Sequence, residues 1–108
     1  MNSCKNLIIT YFQSWQTQDW DKMRACLNKK FHIDAGQLQF KSVDVFIEFC
    51  KNGPSWSQIR LLEALFLENK AALLYEGITP TKEKVRIAEF FDVTNNEIIK
   101  SQMTITLG

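Results

Sequence analysis

Apolar residues recur at three- and four-residue steps through the first stretch of the chain, where Cys4, Leu7, Ile8, Tyr11, Phe12 and Trp15 fall on one side. That period predicts a helix over residues 4–16, with one phenolic hydroxyl inside its buried stripe. Gln16-Thr17-Gln18-Asp19 breaks the pattern, and Asp19 is placed to cap a second helix running to about Asn28. Trp20, Met23 and Leu27 would form its buried side. Lys30 to Asp34 alternates and predicts a short strand ended by Asp34-Ala35-Gly36, with Gln37 to Phe40 as a second short strand. Ser42 caps a third helix with Asp44 in its first turn and Phe46, Ile47, Phe49 and Cys50 on its apolar side. Asn52-Gly53-Pro54 stops it.

The remainder is strand-like. Ser57–Leu67, Ala71–Ile78, Lys84–Thr94 and Glu97–Leu107 are separated by short polar breaks, so neighbours should pair as antiparallel hairpins. The order helix, helix, strand, helix, four-strand meander predicts a single α+β domain. Alternation sorts the faces. Val85, Ile87, Glu89, Phe91 and Val93 oppose Arg86, Ala88, Phe90 and Asp92, and in the last strand Ile99, Ser101, Met103, Ile105 and Leu107 oppose Lys100, Gln102, Thr104 and Thr106. Between Gln58 and Glu68 both faces are apolar. One face can cover the helices while the other needs a partner, for which a second copy of the chain is the economical choice.

Composition narrows the field. The 108 residues are 45% hydrophobic and 23% charged, as for a globular protein of one domain. Eight Phe and three Trp supply bulk for a core and for a pocket besides. A net charge of +1 with scattered Lys and Arg leaves no footprint for nucleic acid or an anionic membrane. The amphipathic start differs from a signal peptide, and no stretch approaches the roughly 20 apolar residues of a membrane span, so a cytoplasmic location is expected. Cys4, Cys26 and Cys50 lie far apart, without the spacing of a disulfide framework or zinc site, and read as small buried hydrophobes.

Glu89 is the sharpest chemical signal, a carboxylate in the centre of an apolar strand face. It must find partners or become neutral, unless it sits at an edge beside Arg60 or Arg86. Glu63 has a similar setting. Tyr11 is a hydroxyl donor for a pocket or a core tyrosine. Asp34 is a base overlooking the cavity or a turn residue. His32, the single histidine, shares a face with Asp34 and makes no metal site alone. Trp15, Trp20 and Trp56 are core or pocket wall, and Phe91 and Met103 share apolar faces with Glu89 and Ser101. No phosphate loop, nucleophile elbow or Cys–His arrangement occurs.

The segment from Tyr11 to Met23, Tyr-Phe-Gln-Ser-Trp-Gln-Thr-Gln-Asp-Trp-Asp-Lys-Met, resembles the start of nuclear transport factor 2-like domains, in particular the SnoaL-like and ketosteroid isomerase-like branches. The later elements match in order and length. The resemblance implies three N-terminal helices packed on a curved antiparallel sheet, a cone-shaped, cystatin-like roll. Trp15, Trp20, Phe91 and Met103 are the candidate ligand-binding residues. The resemblance further implies Tyr11 as the oxyanion-holding tyrosine, Asp34 as the proton-shuttling carboxylate and Glu89 near the second oxyanion donor, an acid kept neutral by its apolar site. Glu89 is one methylene longer than the family's aspartate, and Phe31, His32 and Ile33 replace family acids around the base. Two functions stay open: a cofactor-independent and metal-independent isomerase or cyclase acting by proton transfer on a small apolar carbonyl compound, and a non-catalytic ligand-binding or dimerisation module.

Overall fold

The stripe of the first segment becomes α1 (Lys5–Thr17), with Ile8, Tyr11, Phe12 and Ser14 buried. Its end is a left-handed residue, Gln18 at φ 60°. There the Asp19 N–H reaches the Ser14 carbonyl at 2.9 Å and the Gln18 N–H reaches Trp15 at 3.3 Å, which satisfies carbonyls the helix leaves open. The start of α1 is tied to a distant turn, because the Cys4 N–H donates to the Leu67 carbonyl at 3.2 Å. The computed structural model describes residues 4–36, 38–52 and 58–107. The Gly53-Pro54 stop, Trp56 and the expected strand starts at Gln37 and Ser57 lie outside the described residues.

Asp19 caps α2 (Trp20–Ala25) through its carboxylate, which accepts from the Lys22 N–H at 3.2 Å. This helix is shorter than the sequence predicts. Residues 27 and 28 belong instead to β1 (Leu27–Ala35), which begins three residues before the expected Lys30. A tertiary partner overrides the local pattern: the Cys26 carbonyl accepts from the Ile98 N–H at 2.8 Å, and Leu27 pairs with Ile98. Leu27 is buried as expected, but from a strand.

β2 (Leu38–Phe40) returns along β1, and α3 (Val43–Asn52) buries Phe46 and Ile47. Then come β3 (Gln58–Phe66), β4 (Lys70–Ile78), β5 (Lys84–Thr94) and β6 (Glu97–Leu107), the antiparallel meander that the short turns predict. One sheet of order β2-β1-β6-β5-β4-β3 results. Two expectations change. The sheet is mixed, not wholly antiparallel, because β1 lies parallel to β6, a pairing no hairpin can make. Only α1 and α2 precede the sheet in the chain, since α3 is inserted between β2 and β3. Register breaks at Leu61/Glu63 and at Asp92/Val93, interruptions that bend a strand and increase its twist.

Cross-strand partners define an inner face that meets the helices. Leu73, Tyr75, Ile87, Phe91, Val93 and Ile98 are buried on it. Aromatic contacts join it to the helices: Phe12 meets Tyr75 with ring centroids 5.0 Å apart, and Phe31 meets Phe46 at 5.4 Å. Among the described residues, no helix is long and apolar enough to cross a membrane.

Phe31 is fully buried, so Phe31→Ala should lower unfolding free energy by about 3–5 kcal/mol in urea titrations. On the same strand the exposed Lys30→Ala should change it by no more than about 0.5 kcal/mol.

Candidate functional site

β5 crosses the middle of the sheet and directs Glu89 inward, opposite Leu73 of β4 and Met103 of β6. Its diagonal neighbours on those strands are Tyr75, which pairs with Ile87, and Ser101, which pairs with Phe91. Both hydroxyls reach the carboxylate: the Tyr75 hydroxyl donates to Glu89 Oε1 at 2.7 Å and the Ser101 hydroxyl to Oε2 at 2.6 Å. Glu89 is 2% exposed and Ser101 is fully buried. Burial pushes the Glu89 pKa up from its ordinary value, and the hydrogen bonds from Ser101 and Tyr75 pull in the opposite direction without cancelling it. Burial, and then the nearby Glu89, holds the Tyr11 and Tyr75 phenols protonated well beyond their usual range. The Cys50 thiol is raised to about 12 by burial, with Glu89 adding to the shift.

These groups open onto a hollow of about 210 Å³. α1 contributes Tyr11, Phe12 and Trp15, and α3 contributes Phe46, Phe49 and Cys50. Ile33 and Ala35 of β1, with Phe40 of β2, close one end, and Met103 and Ile105 extend the floor from β6. Among the described lining residues Glu89 is the sole carboxylate, and none is Lys, Arg or His. A larger cleft of about 1100 Å³ runs past the start of α1, but it is a surface feature lined by Asn6, Asn69, Asn95 and Asn96, with no buried charge. Among the described residues, no group of three His, Cys, Asp or Glu is placed to hold a metal ion.

The residues singled out in the sequence separate into two sets. Tyr11, Glu89, Trp15 and Met103 come together around the hollow. Phe91 lies behind it as core, edge-on to Tyr11 with centroids 5.7 Å apart, and Trp20 packs on the core from α2 outside the hollow. Asp34 does not join them. It pairs with Gln102 on the outer face of the sheet, while the inward positions beside it are Ile33 and Ala35. Its carboxylate accepts from the Gly36 N–H at 3.0 Å, the turn role that its sequence position also allowed. His32 shares the outer face, opposite Lys100, and Glu63 pairs there with Leu74.

Tyr75 and Ser101 complete the site and were not legible as partners of Glu89. A hairpin counted back from Thr94 and Glu97 without interruption pairs Glu89 with Gln102. Alternation along β6 already set Ser101 and Met103 on the apolar face, and the bulge at Ile99 shifts the hairpin register by one residue so that this face meets Glu89. Ile98, not Ile99, takes the buried position as a result.

Because folding raises the Glu89 pKa, the folded state holds a proton that the unfolded chain gives up near the ordinary value of 4.5. Stability conferred by the neutral form is therefore present below that pH and is lost as pH rises through the folded-state pKa. Glu89→Gln cannot ionise. Its melting temperature relative to the unsubstituted protein should climb as pH is raised from about 4.5 to neutrality, read by thermal melts across a buffer series. A difference independent of pH would contradict the buried, proton-holding carboxylate.

No protein-family model matches the chain, and no curated protein matches it in sequence. Solved structures do match in fold. A candidate ketosteroid isomerase of Kribbella flavida superposes with a TM-score of 0.89 at 15% identity, covering 97% of this chain and 78% of the other. A nuclear transport factor 2-like protein of unknown function from Cytophaga hutchinsonii gives 0.85 at 9% identity, covering 98% and 92%. An LEH-like epoxide hydrolase of M. tuberculosis gives 0.83 at 9%, covering 95% and 82%. At such identities the likeness is one of architecture, and it agrees with the layer of helices on a six-stranded sheet: the chain has the nuclear transport factor 2-like fold.

Proposed function

We propose that this chain binds one small, largely apolar molecule in the hollow beneath α1 and α3, with the polar end of that molecule at Glu89. The observation that carries this reading is a ring-lined space of about 210 Å³ that ends on a single buried carboxylate. An apolar cavity of about 150 Å³ accepts benzene, whereas pockets for drug-sized ligands start at about 300 Å³. The occupant is therefore a compact molecule of one ring and a short substituent. Proton-transfer catalysis, as in an isomerase or cyclase, needs a base facing the substrate within hydrogen-bond reach. Asp34 lies across the sheet, and its inward neighbours Ile33 and Ala35 carry no ionisable group. Glu89 is left as the one described carboxylate facing the occupant; held by Tyr75 and Ser101 it anchors the polar end, and binding without turnover fits this arrangement better.

Titration with benzyl alcohol, followed by amide NMR shifts, should perturb Trp15, Ala35 and Met103 selectively. Ala35→Phe should abolish the response by filling the hollow, and Asp34→Asn should preserve it. Absence of any selective shift at millimolar alcohol would overturn the reading.

We also infer that two copies associate through the outer face of the sheet. The register sets Leu65 beside Ala72 and Ala72 beside Phe90, and Leu65 and Phe90 are 73% and 56% exposed. Leu74 and Ala88 extend this strip, and the Lys70–Asp92 and Arg60–Glu76 ion pairs border it. A contiguous apolar strip with a charged border is the form of a protein interface. Sedimentation equilibrium at micromolar concentration should give a dimer that Leu65→Glu or Phe90→Glu converts to monomer. A monomeric unsubstituted protein would rule out the association.

A further inference from the structure

The charge balance of the hollow narrows the class of its ligand, on the premise that the hollow is a binding site. Titratable and polar side chains face Glu89 from each packed element: Tyr11 from α1, Cys50 from α3, Tyr75 from β4 and Ser101 from β6. Burial keeps both phenols and the thiol protonated and neutral. Glu89 is therefore the one described lining group whose ionisation can put a charge in the hollow, and no cation of the described lining stands against it. Each of its oxygens accepts one hydroxyl hydrogen bond and keeps a lone pair for a third group. The remaining walls are largely aromatic, from Tyr11, Phe12, Trp15, Phe46, Phe49 and Tyr75. Aromatic rings attract cations through their electron-rich faces, and do so more strongly when water is excluded.

We propose that the ligand is a small aryl or cycloalkyl amine, bound as its ammonium ion, with the nitrogen hydrogen-bonded to the Glu89 carboxylate and the ring between α1 and α3. An ammonium supplies the missing counter-charge and uses the free lone pairs of the carboxylate. Its hydrocarbon part fills a wall too apolar to solvate a second charge. An anionic ligand meets like charge at the same place. A neutral ketone gains a donor from Glu89 only when the acid is protonated. The two ligand types therefore carry opposite pH signatures. Amine affinity should rise with pH as Glu89 ionises and a proton is released on binding, whereas ketone affinity should fall over the same interval.

Calorimetric titration with 2-phenylethylamine, 2-phenylethanol and phenylacetone, from about pH 5 to about pH 8, tests this. At the upper pH the amine should bind about tenfold more tightly than the alcohol, and buffers of different ionisation enthalpy should reveal proton release. Glu89→Gln should weaken the amine by about that factor more than it weakens the alcohol. The pH series on the unsubstituted protein decides the matter even if the variant fails to fold. Equal binding of the three probes, or amine binding that does not strengthen as pH rises, would overturn the amine assignment and keep the pocket. No binding by any probe would overturn the pocket itself.

Discussion

Side chains of a strand alternate between two faces, so a strand's register decides which of its residues can meet a site at all. In this molecule the parallel ladder between β1 and β6 imposes that choice at one end of the hollow. Ile33 pairs with Ser101 and faces the helices, and His32 and Asp34 pair with Lys100 and Gln102 and face away. The ladders from β4 to β6 impose it at the centre, where Leu73, Glu89 and Met103 align on the inner face. A slip of one residue in β1 would bring Asp34 inward and expose Phe31 and Ile33. Two fully desolvated apolar side chains hold the register against that slip.

The same alignment makes the buried carboxylate tolerable. A carboxyl group taken out of water is costly unless hydrogen bonds replace its hydration. Tyr75 and Ser101 come from the strands on either side of β5, so the three residues bridge three adjacent strands. The network depends on both registers being correct at once, and in that sense the polar trio specifies the packing around it. Its electrostatic reach extends to Tyr11 and Cys50 on the helices.

Local patterns carried much of the architecture. α1, β5 and β6 fall within a residue of their sequence boundaries because their periods are long and their ends carry turn residues. Glu89 stood out because a charge on an apolar strand face is visible in one segment alone. What the sequence concealed depends on distant pairing. The early end of α2 follows from the capture of Leu27 by Ile98, and the mixed sheet follows from β1 meeting β6. Alternation put Ser101 on the apolar face, but its place beside Glu89 depends on the register set by the bulge at Ile99. Asp34-Ala35-Gly36 read first as a turn, with Asp34 also open to a place over the cavity, since facing is set by the neighbour strand and not by the tripeptide.

The parallel ladder also has a consequence for how the chain reaches its final form. Hairpins such as β4–β5 join residues close in sequence and can close early, whereas β1 must wait for β6, the last strand of the meander. Closing so long a loop has an entropic cost that short turns avoid. Until that closure the amphipathic α1 has an incomplete floor beneath it. Its apolar side is therefore fully covered only once residues 97–102 have joined the sheet.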